Sequence, residues 1–438
     1  MRSILLQDRR GAAIVSFALL SFIVAFLMAH HYQPFLTVES HFPENGEYIH
    51  VARSLILGKG FSNPYGAALT GPTTHVSPGF PLIPAAIVEL TGDLDRGWFN
   101  YLILIYLVHS FTAALIYLTV LRLTRVVWLG LLPAIGFALK SYPLQPEWDA
   151  EFTEFLLLML IAYWISWRRS GQEFNWRHAV FIGLLGGVMI QINFSVLTSV
   201  TVLFGLAFWL CPNPSERRRI LVGLLIAYLI MVPWTYRNWI VFHKFIPTRG
   251  NAGLELDVSN NDTAHYSFHI NWQRQGAKHP NDSLEEANKI IAMGETGYFA
   301  SRQERALDWI RHHPFRFGQL TLQRMFAYWF GSGGDTVPYR VIYSSLALAA
   351  LIGIGFRKSL PLGAGILYTI LAVYPLTYYL VQYGQRYAVP TIGILWITGT
   401  VASWTAYKVI SLRHQQSMQG RPDMKSATLT SPRIDRGI

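Results

Sequence analysis

The sequence has few charged residues and a single cysteine, and both shortages narrow the classes of protein that it can encode. Only 14% of its 438 residues are charged, against about 25% in soluble domains. Cys211 stands alone, which excludes an internal disulfide and any cluster of cysteine ligands around a metal ion. With 52% hydrophobic residues and a mean hydropathy of +0.28, the composition predicts a polytopic membrane protein.

The net charge of +11 does not indicate a nucleic-acid partner, because the basic residues cluster at the ends of the apolar runs, in the short segments that join them. This is the distribution that the positive-inside rule requires of cytoplasmic loops. It predicts that both termini are cytoplasmic. The basic clusters are Arg2, Arg9 and Arg10; Arg122 and Arg125; Arg168, Arg169 and Arg177; Arg217, Arg218 and Arg219; Arg357 and Lys358; Lys408 and Arg413.

The apolar runs predict about ten spanning helices and therefore an all-α transmembrane bundle. Two long outer loops, 30–98 and 242–338, separate some of these runs, whereas the inner loops are short. We expect residues 1–411 to form the membrane domain and the polar residues 412–438 a disordered cytoplasmic tail. The predicted spans are 12–29, 99–121, 126–140, 152–167, 178–193, 195–211, 219–241, 339–356, 361–381 and 388–408.

The long outer loops contain segments that are expected to lie on the membrane rather than cross it. Residues 47–58 have one apolar and one polar face, and residues 78–90 are apolar but short for a full span. A helical pattern also runs from Ser283 to Ile310, where Pro314 stops it, and a second amphipathic stretch covers 317–330.

Three carboxylates in the predicted outer region are candidates for chemistry. Glu44 and Glu47 stand at the start of the amphipathic segment 47–58, although a helix dipole favours acids at that position without any catalytic role. Glu154 begins an otherwise unbroken apolar run, where a lone carboxylate is costly unless it is paired or faces water at headgroup depth.

Two arginines, Arg237 and Arg386, also fall on the predicted outer side, where the positive-inside rule does not explain them. The planar guanidinium suits phosphate oxygens and stays charged at any pH. The competing interpretation is that they snorkel to lipid headgroups. Most histidines, including His75, are predicted outside as well, but their spacing matches no zinc motif, so interface residues are the favoured interpretation.

Several motifs in the same order and topological placement resemble the GT-C glycosyltransferases, particularly the family 39-like branch of protein O-mannosyltransferases and lipid A aminoarabinose transferases. The resemblance covers roughly residues 10–408. It rests on Glu44 and Tyr48 followed by Gly58-Lys59-Gly60, Pro78-Gly79-Phe80-Pro81, Thr153-Glu154, the Pro-Trp-Thr-x-Arg-Asn element at 233–238, His313-Pro314 and Arg386-Tyr387. The family usually has Asp, often Asp-Glu, where this chain has Glu44-Asn45.

The resemblance implies an inverting transfer of a sugar from a polyprenyl phosphate to an acceptor hydroxyl at the outer membrane surface. A carboxylate, Glu44 first and Glu47 second, would accept the proton of the attacking hydroxyl. Arg237 and Arg386 would stabilise the departing phosphate, with Tyr387 and Arg53 as further donor-binding residues. The two long outer loops, 30–98 and 242–338, would form the active-site cleft for the acceptor, and Glu154 and His75 are expected to support these loops.

The expected partners are the lipid-linked sugar, membrane lipids and an acceptor that is a glycan, a lipid or a protein. No cofactor is required, although a divalent cation between Glu44 and the phosphate is compatible with this chemistry. The expected location is a bacterial inner membrane, with the active site outside the cytoplasm.

Three other classes of function stay open. A transporter or flippase would place ionisable groups near the bilayer midplane, whereas here only His109 falls in a helix centre. A polysaccharide polymerase or ligase would have its arginines in one large late loop. A non-catalytic binder of lipid-linked sugar would share every motif.

Overall fold

The computed structural model describes residues 2–32, 41–139, 144–274, 278–332 and 334–419. The regular secondary structure in these ranges is helical, and they form no strand. Backbone bridges there pair only Ser62 with Pro72 and Ser267 with Tyr383. The first helices are α1 (Arg2–Tyr32), α2 (Glu47–Ile56), α3 (Gly79–Thr91), α4 (Leu94–Thr124), α5 (Leu131–Ala138), α6 (Ala150–Ser170), α7 (Trp176–Ile192), α8 (Leu197–Leu210) and α9 (Pro214–Leu229).

The second half of the chain continues with shorter helices and ends in two long ones. These are α10 (Val232–Phe242), α11 (Ala252–Ser259), α12 (Phe268–Arg274), α13 (Leu284–Met293), α14 (Glu295–His312), α15 (Pro314–Phe330), α16 (Val337–Gly355), α17 (Ala364–Val373) and α18 (Gln385–Gln419). Short 3₁₀ turns cover Phe194–Val196, Arg357–Ser359 and Tyr374–Tyr379.

Five helical segments in the described ranges are long and apolar enough to cross a membrane, and shorter apolar helices fill the bundle between them. The expected all-α polytopic membrane fold is therefore confirmed. The five segments are Gly11–His31, Leu94–Thr124, Ala150–Ser170, Pro214–Phe242 and Val337–Gly355.

Two of the predicted spans differ in the structure. The run at 126–140 forms only the eight-residue helix α5. The run at 219–241 is divided between α9 and α10, which meet at residues 230–231. Pro233 explains this division, because its ring lacks an N–H and would clash with the carbonyl of Leu229 in a continuous helix.

The predicted helix from Ser283 to Ile310 is divided as well. Ser283 caps α13 by accepting the backbone N–H of Glu286, and Gly294, with φ at 73°, separates α13 from α14. Pro314 then begins α15 as its first residue, a position where the missing proline N–H costs nothing. At the C-terminus, α18 continues to Gln419, and the rest of the predicted tail lies outside the described residues.

Close packing of α7 against α9 shows how the bundle is held together. An added Cβ at Gly183 would lie 2.5 Å from the carbonyl oxygen of Gly223, and one at Gly187 would lie 2.9 Å from that of Ala227. Small residues at these positions let the two backbones approach, which is the usual basis of helix association within membranes. Helix α1 also packs against α4, and α16 against α18.

Candidate active site

A cavity of about 370 Å³ opens at the end of the bundle that the sequence predicts to be the outer end. Segments from six parts of the chain converge on it: α2, the residue before α6, the joint between α7 and α8, the start of α11, the 3₁₀ turn before α18, and the first residues of α18. Its polar lining consists of Tyr48, Asp149, Asn193, Ser195, Arg249, Asn251, Glu255, Tyr374, Thr377, Tyr378, Arg386 and Tyr387.

Helix α2 lies under the outer loops rather than on an open surface. Its residues Tyr48, Ile49, Val51 and Ala52 are buried against α3 and neighbouring aromatic rings. Glu47 and Ser54, which the sequence assigns to a polar face, are buried too. The amphipathic pattern therefore identified the helix, but it did not show that the polar face is covered by residues distant in sequence.

Glu47 is held between two histidines from different outer loops. Its Oε2 lies 3.0 Å from Nε2 of His75, and its Oε1 lies 3.5 Å from Nε2 of His279. Burial by itself raises the pKa of this carboxyl, yet the two histidines and Arg386 outweigh it and hold that pKa well below its usual range. Glu47 is therefore an ionised carboxylate at working pH.

The loop that carries His75 is fixed by α14. Glu295, the first residue of that helix, accepts the backbone N–H of Thr74 at 2.6 Å and its hydroxyl at 2.9 Å. The ring of His75 is completely buried, and its Nδ1 lies 3.1 Å from the hydroxyl of Tyr65. The two long outer loops are thus joined at this point.

Glu47, His75 and His279 are also the described residues whose side chains could hold a metal ion together. Two imidazoles and a carboxylate form a donor set that suits zinc. Zinc bonds of 2.0–2.1 Å place tetrahedral ligand atoms roughly 3.3 Å apart, close to the distances around Glu47. Nδ1 of His279 accepts the backbone N–H of Asn281 at 3.1 Å, and this bond must be released before that imidazole can bind a metal through Nε2.

Asp149 stands at the entry to α6 and faces the cavity. The hydroxyl of Tyr48 donates to its Oδ2 at 3.4 Å, and the Tyr48 ring packs edge-on against Trp148 and Phe80. Burial raises the pKa of Asp149 to about 6, although Arg249 and Arg386 oppose the shift. A carboxyl with that pKa is matched to accepting a proton near neutral pH.

Arg386 and Tyr387, both predicted from the sequence, line the cavity at the start of α18. The guanidinium carbon of Arg386 lies 3.6 Å from the centre of the Trp148 ring, and its Nη2 donates to the Tyr387 hydroxyl at 3.1 Å. Tyr387 in turn stacks on Tyr378 at 4.7 Å. Although burial lowers the pKa of Arg386, the nearby Tyr387 and Glu47 raise it above its ordinary value, so the charge is permanent.

Arg249 is a cavity residue that sequence reasoning missed. Its Nε donates to the carbonyl of His75 at 2.8 Å, and its Nη2 lies 3.5 Å from Glu255. Arg249 lies in the outer loop 242–338, beyond Arg237 of α10, and the positive-inside rule explains neither arginine. Applied to every arginine of this loop, that rule would have marked Arg249 together with others such as Arg302 and Arg324, and only the structure distinguishes it as a cavity residue.

Arg237 and Arg53 do not line the cavity. The guanidinium of Arg237 donates to the carbonyls of Thr73 and Phe61, at 2.9 and 3.0 Å, and to the side chain of Asn238. These hydrogen bonds thus fix the backbone of the first outer loop. Arg53 lies 6.0 Å from the centre of the Phe42 ring rather than against Glu47.

Glu44 and Glu154 also stand apart from the cavity lining. Glu44 is exposed, and its carbonyl lies 2.7 Å from Nε2 of His50. Glu154 is buried between helices, where its Oε1 accepts the backbone N–H of Gly393 at 2.8 Å. That contact joins α6 to α18 and gives Glu154 the buried partner that its position requires.

No family model and no curated protein matches the sequence. Solved structures do match the fold, with the archaeal oligosaccharyltransferase AglB from Archaeoglobus fulgidus among them. Its complex with an inhibitory peptide and a dolichol-phosphate is 12% identical, with 93% of this chain and 52% of that chain covered and a TM-score of 0.51. Its apo form gives 12% identity, the same coverage and a TM-score of 0.53.

A third structure of that oligosaccharyltransferase, in complex with Zn and sulfate, is 11% identical over 91% of this chain and 50% of that one, with a TM-score of 0.50. The chain spans about half the length of the solved structures that it matches. At such low identity the likeness concerns the fold, which was also expected from the sequence motifs. The chain has the GT-C fold of the membrane oligosaccharyltransferases.

Proposed function

We propose that this protein is a membrane glycosyltransferase that moves a sugar from a polyprenyl-phosphate donor to an acceptor hydroxyl outside the cytoplasm. The observation that carries the proposal is the convergence of Arg249, Arg386 and Asp149 on one cavity at the predicted outer end of the bundle. Two permanent cations and a carboxylate of raised pKa are the groups that this transfer needs. The fold match to a lipid-dependent glycosyltransferase supports the same class.

The two arginines suit the leaving group. A lipid phosphate departs without protonation when its developing charge is stabilised, and guanidinium groups in a water-poor cavity provide that stabilisation. Arg386 is oriented by Trp148 and Tyr387, and Arg249 by the carbonyl of His75. We therefore assign the donor phosphate to Arg249 and Arg386, with Tyr387 beside them.

A carboxylate completes the reaction. The acceptor oxygen forms a bond to the anomeric carbon, the bond from that carbon to the phosphate oxygen breaks, and the hydroxyl proton passes to the carboxylate. One such displacement inverts the anomeric configuration. Asp149 is our first candidate for this proton, because Glu47 is held ionised by cationic neighbours, which makes it a weak proton acceptor. Glu44, indicated by the sequence motif, is the alternative.

An apolar groove beside the cavity is suited to the polyprenyl tail. This groove of about 890 Å³ lies between α8 and the α9–α10 pair, and it begins at Leu197, two residues beyond the cavity residue Ser195. Thr201, Tyr228, Met231 and Trp239 are among its walls. A donor whose phosphate meets Arg386 can therefore lay its chain between helices that face the lipid.

We also propose that Glu47, His75 and His279 hold a divalent cation, as the Zn complex of the archaeal neighbour suggests for this fold. When bound, such an ion would add positive charge near the departing phosphate. The Tyr65 hydroxyl lies 3.1 Å from Nδ1 of His75, so it can accept a hydrogen bond from Nδ1–H, and in that tautomer the Nε2 lone pair is available to the ion.

The experiment uses purified protein and a panel of polyprenyl-phosphate sugars, with release of free polyprenyl phosphate as the readout. Wild type is compared with Asp149→Asn, Glu44→Gln and Glu47→Gln, and Asp308→Asn, an exposed acid on α14, is the matched control. We expect turnover by wild type and the control, and its loss in Asp149→Asn with donor binding retained. Wild type that binds every donor and consumes none would indicate a binder or flippase instead.

The acceptor is addressed by the same assay. The archaeal neighbour is described with an acceptor peptide and with dolichol-phosphate, which makes a protein acceptor one arm of the test. A glycan and a lipid acceptor are the other arms, and product release that depends on only one of them would identify the class.

A further inference from the structure

A second large cavity, of about 740 Å³, lies at the opposite end of helix α6 from the candidate active site. Asp149 precedes the first turn of α6, whereas Trp164, Trp167 and Arg168 line the second cavity near its last turn. At 1.5 Å per residue, the two cavities are roughly 25 Å apart along this helix. That separation is close to the thickness of a bilayer core, so they belong to opposite leaflets.

The walls of this cavity are apolar and come from three helices in addition to α6. Leu203, Leu206 and Leu210 belong to α8, Ile354 to α16, and Ile366 and Ala372 to α17. Several of these side chains are exposed to the surroundings of the bundle. The cavity is therefore a groove between spanning helices, open to the lipid, and of the kind that accommodates a hydrocarbon chain.

The rim of the groove is basic. Arg168 and Arg357 line it, and both are exposed. Within the described ranges, neither forms an ion pair with a carboxylate. Arg169 and Lys358 stand next to them in sequence, and Arg169 also donates to the carbonyl of Leu362 at 3.1 Å. This end of the molecule therefore presents uncompensated positive charge around an apolar opening.

Two indole groups strengthen the case for a polar ligand at the same place. Trp164 and Trp167 are both cavity residues, and their buried Nε1 atoms have no hydrogen-bond acceptor in the described structure. A buried donor without an acceptor is costly, so these two indoles leave polar groups unsatisfied in the wall of the cavity. Apolar walls, unpaired donors and a cationic rim together describe a site for an amphiphile with an anionic head.

We propose that this groove binds an anionic phospholipid of the leaflet opposite the active site, with an acyl chain between α8 and α17 and its phosphate at Arg168 and Arg357. The lipid would join α6, which carries Asp149 at its other end, to α16 and α17. The positive-inside rule assigns this end to the cytoplasmic leaflet, where a basic pocket between helices is suited to an anionic headgroup. The sugar donor does not fit here, because its phosphate belongs to the other leaflet.

The test is native mass spectrometry and thermal unfolding of the full chain, with phosphatidylglycerol or phosphatidylcholine added to the detergent-solubilised protein. We expect retained phosphatidylglycerol and a rise in Tm with that lipid only. The first variant is Arg168→Gln with Arg357→Gln, and Arg218→Gln, an exposed arginine at the same end of the bundle, is its control. The double variant should lose retained lipid several-fold, whereas the control should behave like wild type.

A second pair of variants tests the groove itself. A Cβ at Gly365 would meet no atom within 4 Å, and this residue lines the groove, so Gly365→Leu adds a side chain to the groove from a position with room at Cβ. Gly205 on α8 is equally free of neighbours but lies outside the lining, which makes Gly205→Leu the matched control. Equal retention of both lipids, or unchanged phosphatidylglycerol binding in Gly365→Leu, would overturn the proposal. Because donor turnover is measured separately, a failed lipid test leaves the glycosyltransferase proposal standing.

Discussion

The guanidinium of Arg386 lies over the ring of Trp148, with 3.6 Å between its central carbon and the centre of the ring. This contact joins the first turn of α18 to the residue before Asp149. It places a permanent cation beside Asp149, whose pKa is raised by burial. Arg386, assigned to the departing phosphate, and Asp149, assigned to the proton of the attacking hydroxyl, are therefore positioned by the same contact.

Arg386→Lys should reduce turnover on the order of 100-fold, with a smaller effect on donor binding. Lysine keeps the charge, but it loses the planar fork and the stacking on Trp148. The measurement is kcat and KM for release of polyprenyl phosphate. Arg311→Lys, an exposed arginine of the outer helix α14, is the control and should match wild type. Equal activity of the two variants would remove Arg386 from the reaction.

The raised pKa of Asp149 predicts that the rate of transfer depends on pH. A base must be ionised to accept a proton, and the pKa of Asp149 is about 6. The rate should therefore fall as the pH decreases through about 6 and level off above it. Asp149→Asn should lose this acid limb of the pH-rate profile, and its rate should be about 100-fold or more below that of wild type.

A pH-rate profile of wild type, Asp149→Asn and Glu44→Gln separates the two candidate bases. If Asp149→Asn kept its rate and its acid limb while Glu44→Gln lost activity, the proton acceptor would be the carboxylate indicated by the sequence motif. A profile without any limb between pH 5 and 7 would also contradict the assignment to Asp149.

The Glu47 cluster predicts bound metal. Purified protein should contain stoichiometric zinc or another divalent ion, and His75→Ala and His279→Ala should each lose most of it, because three ligands are the minimum for a firm site. Metal content is measured by mass spectrometry after dialysis, with His312→Ala, an exposed histidine on α14, as the control. Metal-free protein with full activity would show that the two imidazoles serve only as hydrogen-bond donors to Glu47.

Arg237 should be important for stability rather than for donor binding. Its guanidinium donates to the carbonyls of Thr73 and Phe61, which precede His75 and fix the first outer loop. Arg237→Gln should lower the free energy of unfolding by roughly 2 kcal/mol, since charged donors to backbone carbonyls are lost. The surviving folded protein should keep its KM for the donor, and a raised KM without loss of stability would restore the phosphate role predicted from sequence.

Local patterns were sufficient for much of the fold. Composition and apolar runs indicated a helical membrane bundle, and the amphipathic segment 47–58 is α2. Pro314 was correctly expected to end one helix, and it begins the next. Pro233 and Gly294 interrupt helices that a simple reading of periodicity extends through them.

The candidate site was only partly accessible to sequence reasoning. Motif order singled out Glu44, Arg237, Arg386 and Tyr387, with Glu47 as the second choice for the base. It gave no reason to prefer Arg249 over Arg237. The difference lies in what their guanidinium groups contact: one lines the cavity, and the other is bonded to loop carbonyls. Likewise, the spacing of His75 and His279 resembles no metal motif, because folding brings them to the same carboxylate from different loops.

The sequence by itself determined the features that depend on neighbours along the chain: hydrophobic runs long enough to span a bilayer, basic ends that orient them, and prolines and glycines that stop helices. Only the tertiary structure decided which polar side chains share the cavity, since Tyr48, Asp149, Arg249 and Arg386 come from four separate segments. It also decided their chemistry. Burial raises the pKa of Asp149, whereas the charges of His75, His279 and Arg386 outweigh burial and lower that of Glu47.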